Sequence, residues 1–173
     1  MCERLRSTKA EGASVGTSPI RILVVDDYGP WLRFERLTFL GRKDLQIVGE
    51  CSDGDEAVQK AEELKPDLIL LDIGLPTLNG IEAARRIRQV SPDSKILFVS
   101  ESRSPDIAEE ALSTEASGYV VKSDAVGELL PAIKAVLEGK RFISASLAGH
   151  FLVATTFATQ TISWIVTLIS GMS

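Results

Sequence analysis

Short hydrophobic runs alternate along this chain with amphipathic stretches. Five of the runs are rich in Val, Ile and Leu and are bounded by Asp, Gly, Ser or Pro, a pattern that predicts β-strands. The predicted strands are IRILVV (20–25), LQIVGEC (45–51), LILLD (68–72), KILFVS (95–100) and GYVV (118–121). The four consecutive aliphatic residues at 68–71 are typical of a strand that is buried on both faces of a sheet.

The stretches between the strands have helical spacing, because their apolar positions recur every three or four residues. Trp31 and Phe34 lie in the first of these stretches and are predicted to be core residues. The other apolar faces are formed by Ala57, Val58, Ala61 and Leu64, by Ile81, Ala84 and Ile87, and, as the clearest stripe, by Val126, Leu129, Leu130, Ile133, Val136 and Leu137, ended by Gly139.

Five strands that alternate with five helices predict an α/β fold with a doubly wound, five-stranded parallel sheet. The crossovers are expected to be right-handed, with helices on both faces of the sheet. In such sheets, ligands bind outside the carboxyl ends of the strands. The residues at those ends are therefore the first place to look for chemistry.

Four of the five predicted strands end on a polar or ionisable side chain. Asp26 and Asp27 follow the first strand, and Asp72 ends the third. Ser100 ends the fourth strand, and Lys122 follows the fifth. Each of these alone would be an ordinary helix cap, turn residue or surface lysine. Their joint placement on four parallel strands predicts that they converge into one site.

Three carboxylates at one edge of a sheet repel one another. Two carboxylates about 4 Å apart repel by roughly 4 kcal/mol at an effective dielectric constant of about 20. The single ammonium of Lys122 cannot neutralise three such groups, whereas Mg²⁺ binds carboxylates together with phosphate oxygens and water. The pattern therefore indicates a Mg²⁺ and phosphoryl site in which a carboxylate accepts the phosphoryl group.

Composition and charge narrow the functional classes. The net charge is −5, which argues against a general binder of nucleic-acid phosphates, because such a protein shows a basic stripe. Cys2 and Cys51 are far apart and form no C-x-x-C pair. A disulfide framework or a zinc site is therefore not expected, and a reducing compartment is favoured.

Four motifs make the chain resemble the receiver domain of two-component response regulators. They are VVDD (24–27), LLDIGLPTLNG (70–80), FVS (98–100) and YVVK (119–122). The resemblance covers residues 19–141 and implies a flavodoxin-like (βα)5 fold with strand order 2-1-3-4-5. Two longer stretches are most similar to receivers that precede LuxR-type helix-turn-helix domains. They are DIGLPTLNGIEAARRIR and GYVVKSDAVGELLPAIKAVLEGKRFIS.

The resemblance implies a role for each residue at the strand ends. Asp72 is expected to accept a phosphoryl group from a phosphohistidine on a sensor histidine kinase or a histidine phosphotransfer protein. Asp27 is expected to bind Mg²⁺ directly, Asp26 partly through water, and Gly74 through its backbone carbonyl. Asp72 itself is the remaining expected metal ligand.

The resemblance also implies a switch. Lys122 is expected to contact the phosphoryl oxygens, Ser100 to be the switch hydroxyl and Tyr119 the switch aromatic residue. Their movement would reshape the face formed by the fourth helix, fifth strand and fifth helix, through which the protein is expected to contact partners or a second copy of itself. Glu101 and Ser123 depart from the family pattern, and Glu101 is expected to slow both phosphorylation and dephosphorylation.

The two ends of the chain have a different character. Residues 1–18 are polar and are expected to be a disordered leader. Residues 142–173 form an apolar tail without Lys or Arg, so direct DNA binding is not expected. Four interpretations of this tail remain open: a transmembrane helix over 151–172, a helix that packs on another subunit, an aggregation-prone strand, or an unselected terminus. The expected location is cytoplasmic, with membrane association through residues 151–173 as an alternative.

Other functional classes use similar residues. A haloacid-dehalogenase-type phosphohydrolase needs a second acid two positions after its nucleophile, where this chain has Gly74, so an enzyme is not expected. A flavodoxin-like cofactor binder needs a Ser-, Thr- or Gly-rich phosphate loop where this chain has DDYGPW. A membrane-tethered or degenerate receiver that acts by protein contact alone remains the main alternative.

Overall fold

The computed structural model describes residues 18–151. Six parallel strands form one sheet in the order β2-β1-β3-β4-β5-β6. The strands are β1 (Ile20–Val25), β2 (Leu45–Cys51), β3 (Leu68–Leu71), β4 (Lys95–Ser100), β5 (Gly118–Val121) and β6 (Phe142–Ile143). The doubly wound parallel sheet predicted from the sequence is confirmed, and β6 extends it beyond five strands.

Five α-helices connect the strands. They are α1 (Gly29–Phe39), α2 (Gly54–Leu64), α3 (Gly80–Val90), α4 (Pro105–Ser113) and α5 (Ala125–Leu137). A short 3-10 turn, Lys122–Asp124, joins β5 to α5. Residues 145–151, which follow β6, are also helical.

The strands bury side chains on both faces, so the sheet separates two hydrophobic clusters. On one face, Leu23 and Ile69 pack with residues of α2, α3 and α4. On the other face, Ile22 and Leu70 pack with residues of α1 and α5. Consecutive residues of a strand thus enter different clusters, as the period of two requires.

Two predictions about core side chains need correction. Val126 was expected on the buried stripe of α5, but it is 87% exposed, so that prediction is wrong. In the first turn of α5, Ala125 faces the sheet instead and is buried. Trp31 and Phe34 are half-buried and pack against the α1–α5 cluster from outside its buried centre.

The described residues include the start of the predicted apolar tail but only the first residue of the predicted membrane span. Residues 142–151 continue directly from the sheet, and Leu147 is only 2% exposed. Residues 1–17 and 152–173, which include nearly all of the predicted leader and the predicted membrane span, lie outside the described residues. Within residues 18–151, none of the helices combines the length and the apolar character needed to cross a bilayer.

Candidate functional site

The side chains predicted to converge do lie at one edge of the sheet. Asp26 and Asp72 follow the neighbouring strands β1 and β3, and both are buried. Ser100 ends β4, Lys122 follows β5, and these two side chains are also buried. Asp27 is exposed, so the cluster has one carboxylate that faces the solvent.

Lys122 joins the two buried carboxylates. Its Nζ lies 2.6 Å from Asp26 Oδ2 and 3.6 Å from Asp72 Oδ1. The other oxygen of Asp26, Oδ1, accepts a hydrogen bond of 2.8 Å from the backbone N–H of Tyr28. Lys122 Nζ also lies 5.2 Å from the centre of the Trp31 ring, a distance at which a cation is attracted to the ring face. The ammonium is therefore fixed by contacts from three elements.

The three carboxylates fit a divalent cation. Asp26, Asp27 and Asp72 each offer one oxygen, and these oxygens lie within 4.8 Å of one another. Gly74 is close as well, because a Cβ placed on it would lie 3.4 Å from Asp72 Oδ2. Three carboxylates against one ammonium leave excess negative charge, and oxygen donors are the ligands that Mg²⁺ prefers. The oxygen donors thus fit Mg²⁺ better than they fit a soft metal.

The electrostatics of the site follow from burial and charge. Burial is the largest influence on the pKa of Asp72 and raises it; the Lys122 ammonium opposes this rise, and the Asp26 charge adds to it. Burial also works against the charged form of Lys122, but the hydrogen bond to Asp26 and the charge of Asp72 outweigh it, so the pKa of Lys122 is raised. Lys122 therefore stays protonated, while Asp72 gains from a further cation.

The predicted switch residues both contact Ser102, in the loop between β4 and α4. Ser100 Oγ accepts a hydrogen bond of 3.3 Å from the backbone N–H of Ser102. The hydroxyl of Tyr119 donates to the carbonyl oxygen of Ser102 at 2.9 Å. The Tyr119 residue has no exposed surface, so its ring lies inside the protein, with its centre 6.5 Å from that of Phe98.

The loop between β3 and α3 places Asp72 through a close backbone approach. The N–H of Gly80 donates to the carbonyl oxygen of Ile73 at 3.0 Å, and Asn79 caps α3 by accepting from the N–H of Glu82 at 3.0 Å. A Cβ on residue 80 would lie only 1.9 Å from the carbonyl oxygen of Asp72. Glycine is therefore required at position 80 for Asp72 to sit where it does.

The two departures from the family pattern lie at the rim of the site. Glu101 is exposed, and its charge contributes to the raised pKa of Lys122. Ser123 accepts a hydrogen bond of 2.6 Å from Arg103 Nη2. Ser123 thus ties the turn that begins at Lys122 to the loop that follows Ser100.

Sequence reasoning missed one ionisable residue next to the site. Glu35 on α1 is 1% exposed, and burial, together with the Asp26 charge, raises its pKa to about 8. Its Oε2 has no hydrogen-bond partner among the described residues. The signal was present in the sequence, because Trp31, Glu35 and Phe39 are spaced by four residues and therefore share one helix face.

Comparisons with known proteins agree with this geometry. The family described as "Response regulator receiver domain" matches residues 22–134. The response regulator GacA of Pseudomonas viridiflava is 37% identical over 130 residues, covering 75% of this chain and 60% of the relative. The transcriptional regulatory protein LiaR of Bacillus subtilis is 33% identical over 134 residues, covering 77% of this chain and 63% of the relative.

Solved structures give the same result. A LuxR-family two-component response regulator from Aurantimonas sp. has a TM-score of 0.75 at 34% identity, over 80% of this chain and 99% of that one. The response regulator domain of Thermotoga maritima CheB has a TM-score of 0.64 at 34% identity, over 69% of this chain and 97% of that one. The chain spans about 60% of the length of the GacA proteins it matches. This chain belongs to the response regulator receiver domain family of two-component signalling.

Proposed function

We propose that this chain accepts a phosphoryl group on Asp72 and uses it to switch a protein contact. The observation that carries the proposal is the gathering of Asp26, Asp27 and Asp72, with ligand oxygens within 4.8 Å of one another, around the ammonium of Lys122. Membership of the receiver family supports the same role. The donor would be a phosphohistidine of a sensor histidine kinase or of a histidine phosphotransfer protein.

The transfer is a displacement at phosphorus. A carboxylate oxygen of Asp72 attacks the phosphoryl group, the new O–P bond forms, and the N–P bond of the phosphohistidine breaks. The imidazole leaves with the electron pair of that bond and takes up a proton. Lys122 lies 3.6 Å from Asp72 Oδ1, where its charge stabilises the phosphoryl oxygens during transfer. When bound, Mg²⁺ supplies the further positive charge that three carboxylates and a phosphoryl group require.

The residues around Asp26, Asp27 and Asp72 would divide the work of holding the ion. Asp27 faces the solvent and would bind Mg²⁺ directly. Asp26, held by Lys122 and by the N–H of Tyr28, would act in part through water. The backbone carbonyl of Gly74 would complete the protein ligands together with Asp72.

The output would pass through Ser100 and Tyr119 to the face formed by α4, β5 and α5. Ser100 would turn towards the phosphoryl group, and the loop that accepts the Tyr119 hydroxyl would move with it. Partner proteins, or a second copy of the chain, would read that face. A cytoplasmic location belongs to the same proposal.

The proposal is tested by labelling the full chain with radioactive acetyl phosphate. The wild type should be labelled in Mg²⁺ and not in EDTA, and D72N should lose the label. D93N is a matched control, because Asp93 is exposed in the turn before β4 and should leave labelling unchanged. An unlabelled wild type, or a D72N variant labelled as strongly as the wild type, would sink the proposal and favour a degenerate receiver.

A further inference from the structure

One buried serine outside the matched family region, Ser144, forms hydrogen bonds to the strand that leads into Lys122. Ser144 follows β6 and is fully buried, whereas the family match ends at residue 134. β6 is only two residues long and pairs with Gly118 and Tyr119 of β5. Because β6 ends there, it offers no strand partner to the last residue of β5, Val121.

The side chain of Ser144 provides the hydrogen-bond acceptor that β6 does not offer to Val121. Its Oγ accepts a hydrogen bond of 2.9 Å from the N–H of Val121, the residue before Lys122. Its own N–H donates to the carbonyl oxygen of Tyr119 at 2.9 Å. One serine therefore holds the backbone of the proposed switch tyrosine and the backbone next to the proposed phosphoryl-contacting lysine. A buried N–H without an acceptor is unfavourable, so loss of the Ser144 hydroxyl would destabilise the end of β5.

Acidic side chains from α5 and from the turn before it complete the arrangement. The Ser144 hydroxyl donates to Glu128 Oε2 at 2.5 Å, and Glu128 Oε1 accepts from the N–H of Ala145 at 3.1 Å. The Ser146 hydroxyl donates to Asp124 Oδ2 at 2.6 Å. Carboxylates at the start of a helix stabilise its first turn. Residues 145–151 are thus anchored to the same turn that presents Lys122.

The apolar side of this segment reaches the switch region as well. Leu147 is buried in the cluster that contains Tyr119 and Leu112 of α4, and Phe151 packs against that cluster. We define residues 142–151 as the C-terminal segment. It contacts the backbone of β5 on its polar side and the Tyr119 cluster on its apolar side.

We propose that Ser144 is a positioning residue that couples the C-terminal segment to the phosphorylation site. Ser144 keeps the end of β5, and so Lys122, in place while the segment is docked. Because coupling between two sites is reciprocal, a phosphoryl group that fixes Lys122 must also favour the docked segment. The inference rests on the proposed function and names the part of the chain that responds to it.

The test measures amide hydrogen exchange of residues 142–151 in the full chain, with and without Mg²⁺ and beryllofluoride. In the wild type, beryllofluoride should slow exchange of this segment by about tenfold, within the usual range of such couplings. In S144A, exchange should be faster and insensitive to beryllofluoride, and the affinity for beryllofluoride should fall by about tenfold. S144T keeps the hydroxyl and should restore both properties.

S113A is the matched control, because Ser113 is exposed on α4 and its hydroxyl donates to the carbonyl oxygen of Glu110 in the same helix. It should behave as the wild type in both measurements. If S144A does not fold, E128A replaces it, because that variant removes the acceptor of the Ser144 hydroxyl and of the Ala145 N–H but leaves the N–H of Val121 its acceptor. E128A should speed exchange of residues 142–151 and weaken the response of that exchange to beryllofluoride; an unchanged response would count against the coupling.

Two outcomes would overturn the inference and can be told apart. A wild type that binds beryllofluoride, beside an S144A variant with the same affinity for beryllofluoride and the same slowing of exchange, would overturn the coupling alone. A wild type that neither binds beryllofluoride nor takes label would overturn the proposed function, and the coupling with it.

Discussion

At the scale of single residues, two buried carboxyl groups near one edge of the sheet differ in how far a neighbouring cation offsets their burial. Asp72 has the Lys122 ammonium 3.6 Å from its Oδ1, so its ionised form has a partner. Glu35 Oε2 has no hydrogen-bond partner among residues 18–151, and burial, only partly offset by the Lys122 charge, raises the pKa of Glu35 to about 8. Glu35 is therefore held mostly neutral at pH 7, which limits the negative charge beside Asp26.

The raised pKa of Glu35 should make stability depend on pH. In the unfolded chain the carboxyl has its ordinary pKa of 4.5, against about 8 when folded, so it loses its proton more easily on unfolding. Stability should fall as pH rises from 4.5 to 8, and the penalty at pH 7 is on the order of 3 kcal/mol. E35Q removes the titration and should be more stable than the wild type, increasingly so across this range.

Urea unfolding of the wild type and E35Q between pH 5 and 8 checks this expectation. The difference between the two free energies of unfolding should grow with pH. E62Q is the control, because Glu62 is exposed on α2, and its curve should follow that of the wild type. Parallel curves for E35Q and the wild type would show that Glu35 is ionised in the folded protein.

The sequence predicted only some of the ionisable residues in and beside the site. Asp26, Asp72 and Lys122 stood out because each follows a hydrophobic strand, and parallel strands bring such ends together. Glu35 did not stand out, because a glutamate on an amphipathic helix usually faces the solvent. Its burial depends on how α1 lies against the sheet and α5, which is a tertiary property.

At the scale of elements, the start of α3 determines where Asp72 sits. Gly80 packs so closely on the preceding loop that a Cβ would lie 1.9 Å from the carbonyl oxygen of Asp72. Asn79 fixes the same helix end by accepting from the N–H of Glu82. The helix and the proposed phosphoacceptor therefore cannot move independently.

G80A should damage both stability and the site. The backbone must shift to admit the methyl group, at a cost of about 1–3 kcal/mol in the free energy of unfolding, and acetyl phosphate labelling should fall because Asp72 shifts with it. Gly127 in α5 gives the matched control, since a Cβ there meets nothing within 4 Å. G127A should stabilise by about 0.5–1 kcal/mol. Equal stability of the two variants, measured by urea unfolding, would refute the close approach.

Element prediction succeeded where hydrophobic runs were long and failed where they were short. The structure reproduces β1, β2, β4 and β5 at the predicted bounds, and β3 ends one residue before Asp72. β6 was missed because two residues, Phe142 and Ile143, carry no recognisable strand pattern. Its place is determined by the edge of β5 and by Ser144, contacts that lie far apart in the sequence.

At the scale of the whole molecule, the proposed site lies at the carboxyl ends of the strands, and the C-terminal segment lies along the β5 edge of the same sheet. The carboxyl ends of β1, β3, β4 and β5 carry Asp26, Asp72, Ser100 and Lys122. The edge of β5 is covered by β6 and residues 145–151, which also contact the Tyr119 cluster. The proposed output face and the C-terminal segment therefore share β5, so a change at Lys122 has a short path to both.

The most direct test of the account is to map the phosphoryl group after treating the full chain with acetyl phosphate. Borohydride reduction followed by peptide mass spectrometry locates the modified aspartate. We expect one modified residue, Asp72, in the presence of Mg²⁺, and none when Mg²⁺ is removed by EDTA. Modification at another residue, or at Asp72 to the same extent without a divalent cation, would contradict it.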